Sequence, residues 1–525
     1  MGIYLNPGNE NYRDTLKGEI YVDKTMMLDT LNRFIERNNR YICVSRPRRF
    51  GKTIAQNMIA AYYSKGCDSH DIFKDLKISR AASYEANLNR YNVIQIDLNG
   101  EYETAENKEK FLQYLLEDIK DEIREEFTDI TFRERDTLAN MILRVYKKRH
   151  ETFIILIDEY DALVREQVSD SLFREYLALL NGLFKNNTLR PALSLAYITG
   201  ILPVIRDKVQ SKLNNFMEYT ILDGMELSEY IGFTTPEVQA ICEKYGIDFD
   251  ECRLWYDGYS QHGYEIYNPE SVVMSVKTGR FGNYWGRTST YNVVSDRIAA
   301  NFDGMRDDVI RMMAGERVPV DVEHYENTMD NFSNKDDAFT YLIHTGYLAY
   351  DFDDKTCHIP NNEIRKEWKR ALEDDSDYSV TNRIIRDSQN LLQETWEGNE
   401  AAVAEALDAS HINVSSNRSY NNEDVLQSAI YLAYIYALNE YTCIREMTAG
   451  KGFADLTYIP VKKGIHPAMI IELKRNQSPE TALNQIKDRR YFDSLSHYQG
   501  DLLFVGINYD EEKKTHECRI ERFVK

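Results

Sequence analysis

Residues Tyr41 to Ile59 read YICVSRPRRFGKTIAQNMI. Tyr41–Val44 is a short apolar run with β-branched residues, the pattern of a buried strand. Pro47 and Gly51 interrupt it, and from Thr53 onward Ile54, Met58 and Ile59 return at helical spacing. Gly51-Lys52-Thr53 therefore stands at a strand–loop–helix junction, the context in which G-x-x-x-x-G-K-[ST] binds phosphate. A helix N-terminus there offers N–H groups and a positive dipole end to the anion. Lys52 is expected at the β/γ-phosphates and the Thr53 hydroxyl on Mg²⁺. The departure is Arg46, in the place of the first Gly, which normally allows a tight turn. Pro47 stiffens the turn instead, and Arg46, Arg48 and Arg49 bring charges suited to bidentate phosphate contact. The plain alternative is a basic surface turn ahead of a helix.

A second stretch weighs against that alternative. Thr152–Val164, TFIILIDEYDALV, holds an unbroken apolar run from Phe153 to Ile157 that ends in Asp158-Glu159. Unbroken apolar strands belong in parallel sheets covered on both faces, and ligands bind at the carboxyl ends of such strands. There Asp158 would hold Mg²⁺, and Glu159 would orient and deprotonate the attacking water. Tyr91–Gly100 and Ala192–Gly200 supply further strands. An extra strand between the loop and the acidic strand fits the ATPases in which a further strand separates the two motif strands. Thr199, ending the fourth strand, is placed to sense the γ-phosphate, although a polar strand end needs no such role.

Composition narrows the field. The 525-residue chain is 43% hydrophobic with 37 Tyr and 21 Phe, enough for several cores and unlike a disordered protein. No stretch approaches the roughly eighteen apolar residues of a membrane helix. MGIYLNPGNENYRD at the start has neither a basic beginning nor an apolar signal core, so a cytoplasmic protein with no membrane partner is expected. The seven cysteines are dispersed without CxxC spacing, as in a reducing compartment. A net charge of −21 argues against non-specific coating of nucleic acid. The charge is uneven: residues 421–525 hold 14 Lys and Arg against 15 Asp and Glu, a net of −1, so −20 falls on the rest. A local basic patch in that nearly neutral region could still meet DNA or RNA.

Along the chain no fixed-period repeat stands out. MMLDTLNRFIERNN (residues 26–39) reads as a helix capped by Asp23 or Thr25. The α/β pattern fills residues 41–225. From Met225 it gives way to helices with a Thr-Pro-Glu start, opening a mainly helical middle region, 226–385. There DDKTCHIPNNEIRKEW holds a short extended segment before a helix, and EDDSDYSV (residues 373–380) reads as an inter-domain surface. Over residues 386–525 the pattern is a long apolar helix at Asn422–Tyr441, three strands, a helix with a Ser-Pro-Glu start, and a last strand, DLLFVGINY.

Within that order Asp455 lies on the second strand, and Glu472 and Lys474 lie on the third. Residues i and i+2 of a strand share a face, so Glu472 and Lys474 project together while Leu473 faces the core. If the two strands pair as a hairpin, Asp455 reaches the same patch. Two carboxylates suit Mg²⁺ or Mn²⁺, and an ammonium beside them can activate water or stabilise charge on a phosphoryl group. Glu423, opening the preceding helix, could add a ligand. Lys487, Arg489 and Arg490 would form a basic face, with Gln485 and Tyr491 flanking the cleft or packing. A solvated strand end with an ordinary ion pair is the competing reading.

These segments together resemble a known family. YVDKT (Tyr21–Thr25), SRPRRFGKT (Ser45–Thr53), LIDEYD (Leu156–Asp161), YITGI, GFT, WYDGY (Trp255–Tyr259), YNPESV and Tyr284-Trp285 resemble the bacterial AAA-ATPase-like family, whose C-terminal partner is usually a PD-(D/E)XK nuclease-superfamily domain. The resemblance runs over nearly the whole chain, and in that family Arg at the first-Gly position is the normal form. It implies a P-loop ATPase domain (1–225), a helical middle or lid region (226–385) and a restriction-endonuclease-like α/β domain (386–525). Lys52 and Thr53 match the nucleotide loop, Asp158 and Glu159 the acidic strand end, and Asp455, Glu472 and Lys474 the nuclease signature. Ala454 departs from the Pro that usually precedes the first Asp. For WYDGY a packed turn is the favoured reading.

Two functions fit. One is an ATP-binding and hydrolysing protein coupled to a metal-dependent nuclease acting on DNA or RNA. The other is a signalling or scaffolding ATPase whose C-terminal domain binds nucleic acid without cleaving it. Either is compatible with a homo-oligomer.

Overall fold

The structure, a computed structural model, describes residues 2–525 except 167, 204–212, 286–304, 314, 324–333, 374–378, 415–422, 450–451, 461–465, 496–497, 499 and 524–525. The chain packs as two units, residues 1–280 with 319–357 and residues 281–318 with 358–525.

The first unit is organised by strands β1 (Tyr41–Ser45), β2 (Asn92–Asp97), β3 (Phe153–Asp158), β4 (Leu193–Gly200) and β5 (Met217–Tyr219). They form one sheet in the order β2-β3-β4-β1-β5, with parallel pairing throughout. β1, β3 and β4 are buried at every residue, as their unbroken apolar runs require. Helices such as Phe111–Glu126 and Leu138–Arg149 turn an apolar stripe of Leu115, Ile119, Ile123, Met141, Ile142 and Val145 into the same core.

The strand between β1 and β3 in space is β4, which carries Thr199, whereas the strand between them in sequence, β2, lies at the sheet edge. Sheet order depends on crossovers that no local pattern encodes. The first long helix is also shorter than its pattern suggests: it ends at Asn32, and Glu36 stands in the left-handed region (φ 59). Asp23, not Thr25, does the capping work there, its Oδ1 accepting from Thr25 N (2.9 Å) and Oγ1 (2.6 Å).

Beyond the sheet, β6 (Phe233–Thr234), β7 (Tyr259–Gln261) and β8 (Tyr264–Tyr267) form a small antiparallel sheet, with three short strands β9 (Val318–Pro319), β10 (Ala349–Asp351) and β11 (Thr356–His358) in another. Helix Thr235–Tyr245 begins with a capping box between Thr234 and Glu237 and ends at Gly246. WYDGY ends helix Phe249–Tyr256 and leads into β7; Trp255, Tyr256 and Tyr259 are buried, and Asp257 accepts from Gly258 N (2.7 Å) and Tyr267 OH (3.1 Å). Of EDDSDYSV, residues 374–378 lie outside the described residues.

The second unit is built on β12 (Tyr441–Ala449), β13 (Gly452–Pro460), β14 (Ala468–Arg475), β15 (Leu502–Asp510) and β16 (Thr515–Phe523), in that spatial order. β14 and β15 are parallel and every other pair is antiparallel. DLLFVGINY is thus not the last strand. β16, THECRIERF, interleaves Glu517, Arg519, Glu521 and Arg522 with its few apolar residues, the composition of a protected sheet edge. The apolar segment before β12 is two pieces, helix Glu423–Ala433 and a 3₁₀ segment Ile435–Asn439.

Candidate functional site

The phosphate-type loop joins β1 to helix Lys52–Tyr63. Gly51, just ahead of that helix, has φ +90, a conformation only Gly adopts readily, and a Cβ there would meet nothing. No side chain caps the helix N-terminus, so its first-turn N–H groups are left for an anion. Lys52 is buried and donates to the carbonyls of Arg46 and Pro47 (both 2.9 Å). Burial lowers its pKa to about 8 against the pull of Asp158, Glu159 and Asp161. The ammonium is held back along the loop, a resting place from which a phosphate could draw it.

Asp158 ends β3 at the neighbouring point. Its Oδ2 accepts from Thr53 Oγ1 (2.6 Å), and its Oδ1 accepts from Glu159 N (3.0 Å) and from Thr199 Oγ1. Burial raises its pKa, and the two hydroxyls and Lys52 oppose the rise. Thr53, Asp158 and Thr199 are thereby brought together from helix, β3 and β4. Glu159 follows in a left-handed conformation (φ 49), and its Oε2 accepts from Arg165 (2.6 Å). Arg165 also pairs with Asp161 (3.4 Å), whose Oδ2 accepts from Ile201 N and Leu202 N beyond β4.

Arg46 is corrected by the structure. Its side chain is fully buried and donates to Ser45 O, Tyr219 O (both 2.9 Å) and Gln261 Oε1 (2.8 Å). A guanidinium so enclosed braces the loop and does not face a phosphate. Arg48 and Arg49 are half-buried within the loop. Sequence reasoning also missed Arg165 and Gln56. Gln56 is one helical turn after Lys52, on the same face, and reaches Thr199 (3.4 Å); that i, i+4 spacing was its only signal. A cavity of about 500 Å³ bordered by Tyr12, Asn57, Gln95 and Glu122 shares none of these residues.

In the second unit the hairpin expectation holds: β13 and β14 pair antiparallel with Leu456 opposite Ile471. Asp455 Oδ2 accepts from Leu473 N (2.7 Å), and Lys474 Nζ donates to Glu472 Oε1 (3.0 Å) and Leu473 O (2.9 Å). Asp455, Glu472 and Lys474 converge, and Leu473 turns into the core. Glu472 is 1% exposed, and its Oε2 has no hydrogen-bond partner. Burial first, then the neighbouring Asp455, pushes its pKa up to about 7 against Lys474.

Gln485 completes this pocket, donating to Glu472 Oε1 and to Tyr491 OH (3.1 Å). It reaches in because β15 carries Gly506 opposite Glu472; any Cβ there would strike Pro479 O of helix Pro479–Asp488. Lys487 is spent on Glu521 of β16 (2.6 Å), so the expected basic face is partly neutralised by the strand the sequence hid. Arg489 and Arg490 are exposed. Glu423 opens its helix, but its side chain lies outside the described residues.

The donor sets suit their expected groups. Lys52, the Thr53 hydroxyl and Asp158 at a bare helix N-terminus match a nucleotide with Mg²⁺. Asp455 and the unpartnered buried oxygen of Glu472 match a hard divalent cation. No helix among the described residues is long and apolar enough to cross a membrane, and all seven cysteines are free thiols.

Comparison with known proteins agrees with both halves. A curated protein of Azotobacter chroococcum mcd 1, described as an uncharacterized protein in the vnfD 5' region, is 27% identical over 287 residues, 53% of this chain and 52% of that protein. The chain thus spans about half the length of that relative. Residues 8–210 match the family described as Predicted AAA-ATPase, and residues 421–518 match the PD-(D/E)XK nuclease superfamily. The chain carries an AAA-ATPase-like domain followed by a PD-(D/E)XK nuclease-superfamily domain.

Proposed function

We propose that the chain binds and hydrolyses ATP through its N-terminal domain and that this governs a metal-dependent nuclease acting on DNA or RNA. The observation that carries the reading is Glu472: a buried carboxyl with an unpartnered oxygen, beside Asp455 and Lys474. Such a group is costly unless it binds something. Mg²⁺ or Mn²⁺, when bound, supplies Lewis-acid polarisation of the phosphodiester. Asp455 and Glu472 would hold the ion, with Glu423 as an added ligand. Leu473 N fixes Asp455, and Lys474, whose ammonium donates to Glu472 Oε1, would act on a water or a phosphoryl oxygen beside the ion.

At the other site Lys52, Arg48, Arg49 and the N–H groups after Gly51 would bind the phosphates of ATP, and Thr53 and Asp158 its Mg²⁺. Glu159 would take the proton of the attacking water, and Thr199 would read the γ-phosphate. We assign residues 1–225 to the ATPase, 226–385 to a region that moves between states, and 386–525 to the nuclease, in a cytoplasmic protein able to form homo-oligomers. ATP must favour one arrangement over another to act on the nuclease.

The alternative is an ATPase used for signalling or scaffolding whose C-terminal domain binds nucleic acid uncut. Cleavage of DNA and RNA with and without Mn²⁺ and ATP decides between them. Cleavage that requires Mn²⁺ and is lost in Asp455→Ala supports the nuclease; binding without cleavage supports the alternative.

A further inference from the structure

Just after β3 the chain closes on itself. Ala162 N donates to Glu159 O (2.8 Å), and the short helix Ala162–Arg165 ends on a side chain that returns to Glu159: Arg165 Nη2 donates to Glu159 Oε2 (2.6 Å). Asp161 stands one helical turn before Arg165 and pairs with it as well (3.4 Å). Asp161 is itself fixed, being buried with Oδ2 accepting from Ile201 N (3.0 Å) and Leu202 N (2.9 Å), the residues that follow Gly200 at the end of β4. A line of contacts thus runs from the end of β4 through Asp161 and Arg165 to Glu159.

The Arg165 side chain is 9% exposed and that of Glu159 29%. Among the described residues the Arg165 guanidinium makes one hydrogen bond, to Glu159, and its buried Nε makes none. Stability is a weak reason for such a pair, because desolvation offsets the attraction and apolar side chains of the same volume often serve as well. Orientation is a better one. A charge-assisted hydrogen bond on Oε2 fixes the plane of the carboxylate, and among the described residues nothing donates to Oε1, which is left to meet a water. Glu159 needs such a hold. Its left-handed backbone (φ 49) is uncommon for a residue with a side chain and persists only where the surroundings enforce it. Here Asp158 Oδ1 takes its N–H, Ala162 N meets its carbonyl, and Arg165 takes its carboxylate.

We propose that Arg165 is a positioning residue for ATP hydrolysis: anchored by Asp161, it holds Glu159 Oε2 so that Oε1 faces the attacking water. This rests on the reading of Glu159 as the base and deepens it. Arg165 acts through Glu159 and not on the phosphates. Its loss therefore misplaces the base, which lowers turnover while leaving the binding of ATP intact.

The test uses the full chain, with steady-state phosphate release from Mg-ATP and calorimetric Mg-ATP affinity measured on each protein. Arg165→Met keeps the apolar stem and removes the donors. It is expected to lower kcat about tenfold to hundredfold, with KM and ATP affinity within about twofold of the parent. Arg165→Lys, which restores a cation beside Glu159, should recover part of that loss. The sharpest readout is the double variant: with Glu159→Gln already in place there is no base left to orient, so adding Arg165→Met should lower kcat by no more than about twofold further. A brace that served only the fold would add its full cost there. An Arg165→Met protein with the parent's kcat would overturn the inference, as would ATP affinity falling in step with kcat, no recovery in Arg165→Lys, or additive losses in the double variant. If Glu159→Gln turns over ATP as fast as the parent, the reading of Glu159 as base fails and this inference with it. If Glu159→Gln is inactive while Arg165→Met is not impaired, that reading stands and this inference alone fails.

Discussion

Binding of Mn²⁺ at the C-terminal site should be tied to a proton on Glu472. That carboxyl is raised to about 7, chiefly by burial and next by Asp455, with Lys474 opposing. A metal needs the carboxylate, so binding below pH 7 must first expel the proton. With a proton-bound fraction set by a value near 7, the apparent affinity should be nearly full at pH 8 and roughly tenfold weaker at pH 6, about 1.4 kcal/mol. Stability without metal should run the opposite way. A carboxyl whose folded value exceeds its unfolded value favours the fold while protonated, so its contribution is complete below about pH 4.5 and is lost as pH rises through about 7. The upper bound of that loss is about 3 kcal/mol.

The assay is calorimetry with Mn²⁺ at pH 6, 7 and 8 in buffers of different ionisation heat, which counts released protons directly. Glu472→Gln should bind Mn²⁺ far more weakly and with no pH dependence from this group. Comparing the metal-free melting temperatures of the parent and Glu472→Gln isolates the stability part: the parent should lose ground to the variant between pH 5 and pH 8. An affinity flat from pH 6 to 8 with no proton release, or a Glu472→Gln protein that binds Mn²⁺ like the parent, would refute the reasoning.

Three further outcomes are expected. Lys52→Ala should reduce ATP affinity by at least about tenfold, read by calorimetry with Mg-ATP, because it removes the buried ammonium that would meet the phosphates. Glu159→Gln should keep ATP binding but slow phosphate release assays by about 10² to 10⁴, the usual worth of a positioned base. If ATP gates the nuclease, cleavage rates of the parent, Lys52→Ala and Glu159→Gln, each with and without ATP, should differ; equal rates in all six conditions would mean two independent domains on one chain.

The N-terminal sheet was legible because parallel strands covered on both faces are unbroken apolar runs, and β1, β3 and β4 are such runs. That Glu472 and Lys474 share a face followed from the two-residue period of a strand, and the pairing of β13 with β14 brings Asp455 to them. What stayed hidden depends on contacts distant in sequence. The place of β4 between β1 and β3 is a matter of crossovers. β16 is hard to see in the sequence because charges interrupt its few apolar residues, although its Glu521 pairs with Lys487 and its Arg519 with Glu480. Arg165, Gln56 and Gln427 belong to no spacing rule that ties them to Glu159, Thr199 or Asp455; only packing brings each to its partner.

Arg46 shows why a residue that breaks a motif can serve its purpose. The usual first Gly gives the loop freedom to turn. Here the Arg46 backbone N–H donates to Gly200 O of β4 (3.1 Å), and its carbonyl accepts from Lys52. Its side chain reaches Tyr219 of β5 and Gln261 of β7. Enclosing a guanidinium is costly, and burial lowers its pKa to about 10, yet it stays charged at neutral pH and three oxygens answer it. Gly224 makes room for it, since a Cβ there would stand 2.5 Å from Nη2. The loop is therefore held at several points before any phosphate arrives, and the carbonyls that hold Lys52 are those of the braced residues Arg46 and Pro47. A tight turn and a buried brace both fix the start of such a loop. At Gly51, where φ is +90, the backbone itself favours glycine, and there the sequence keeps it.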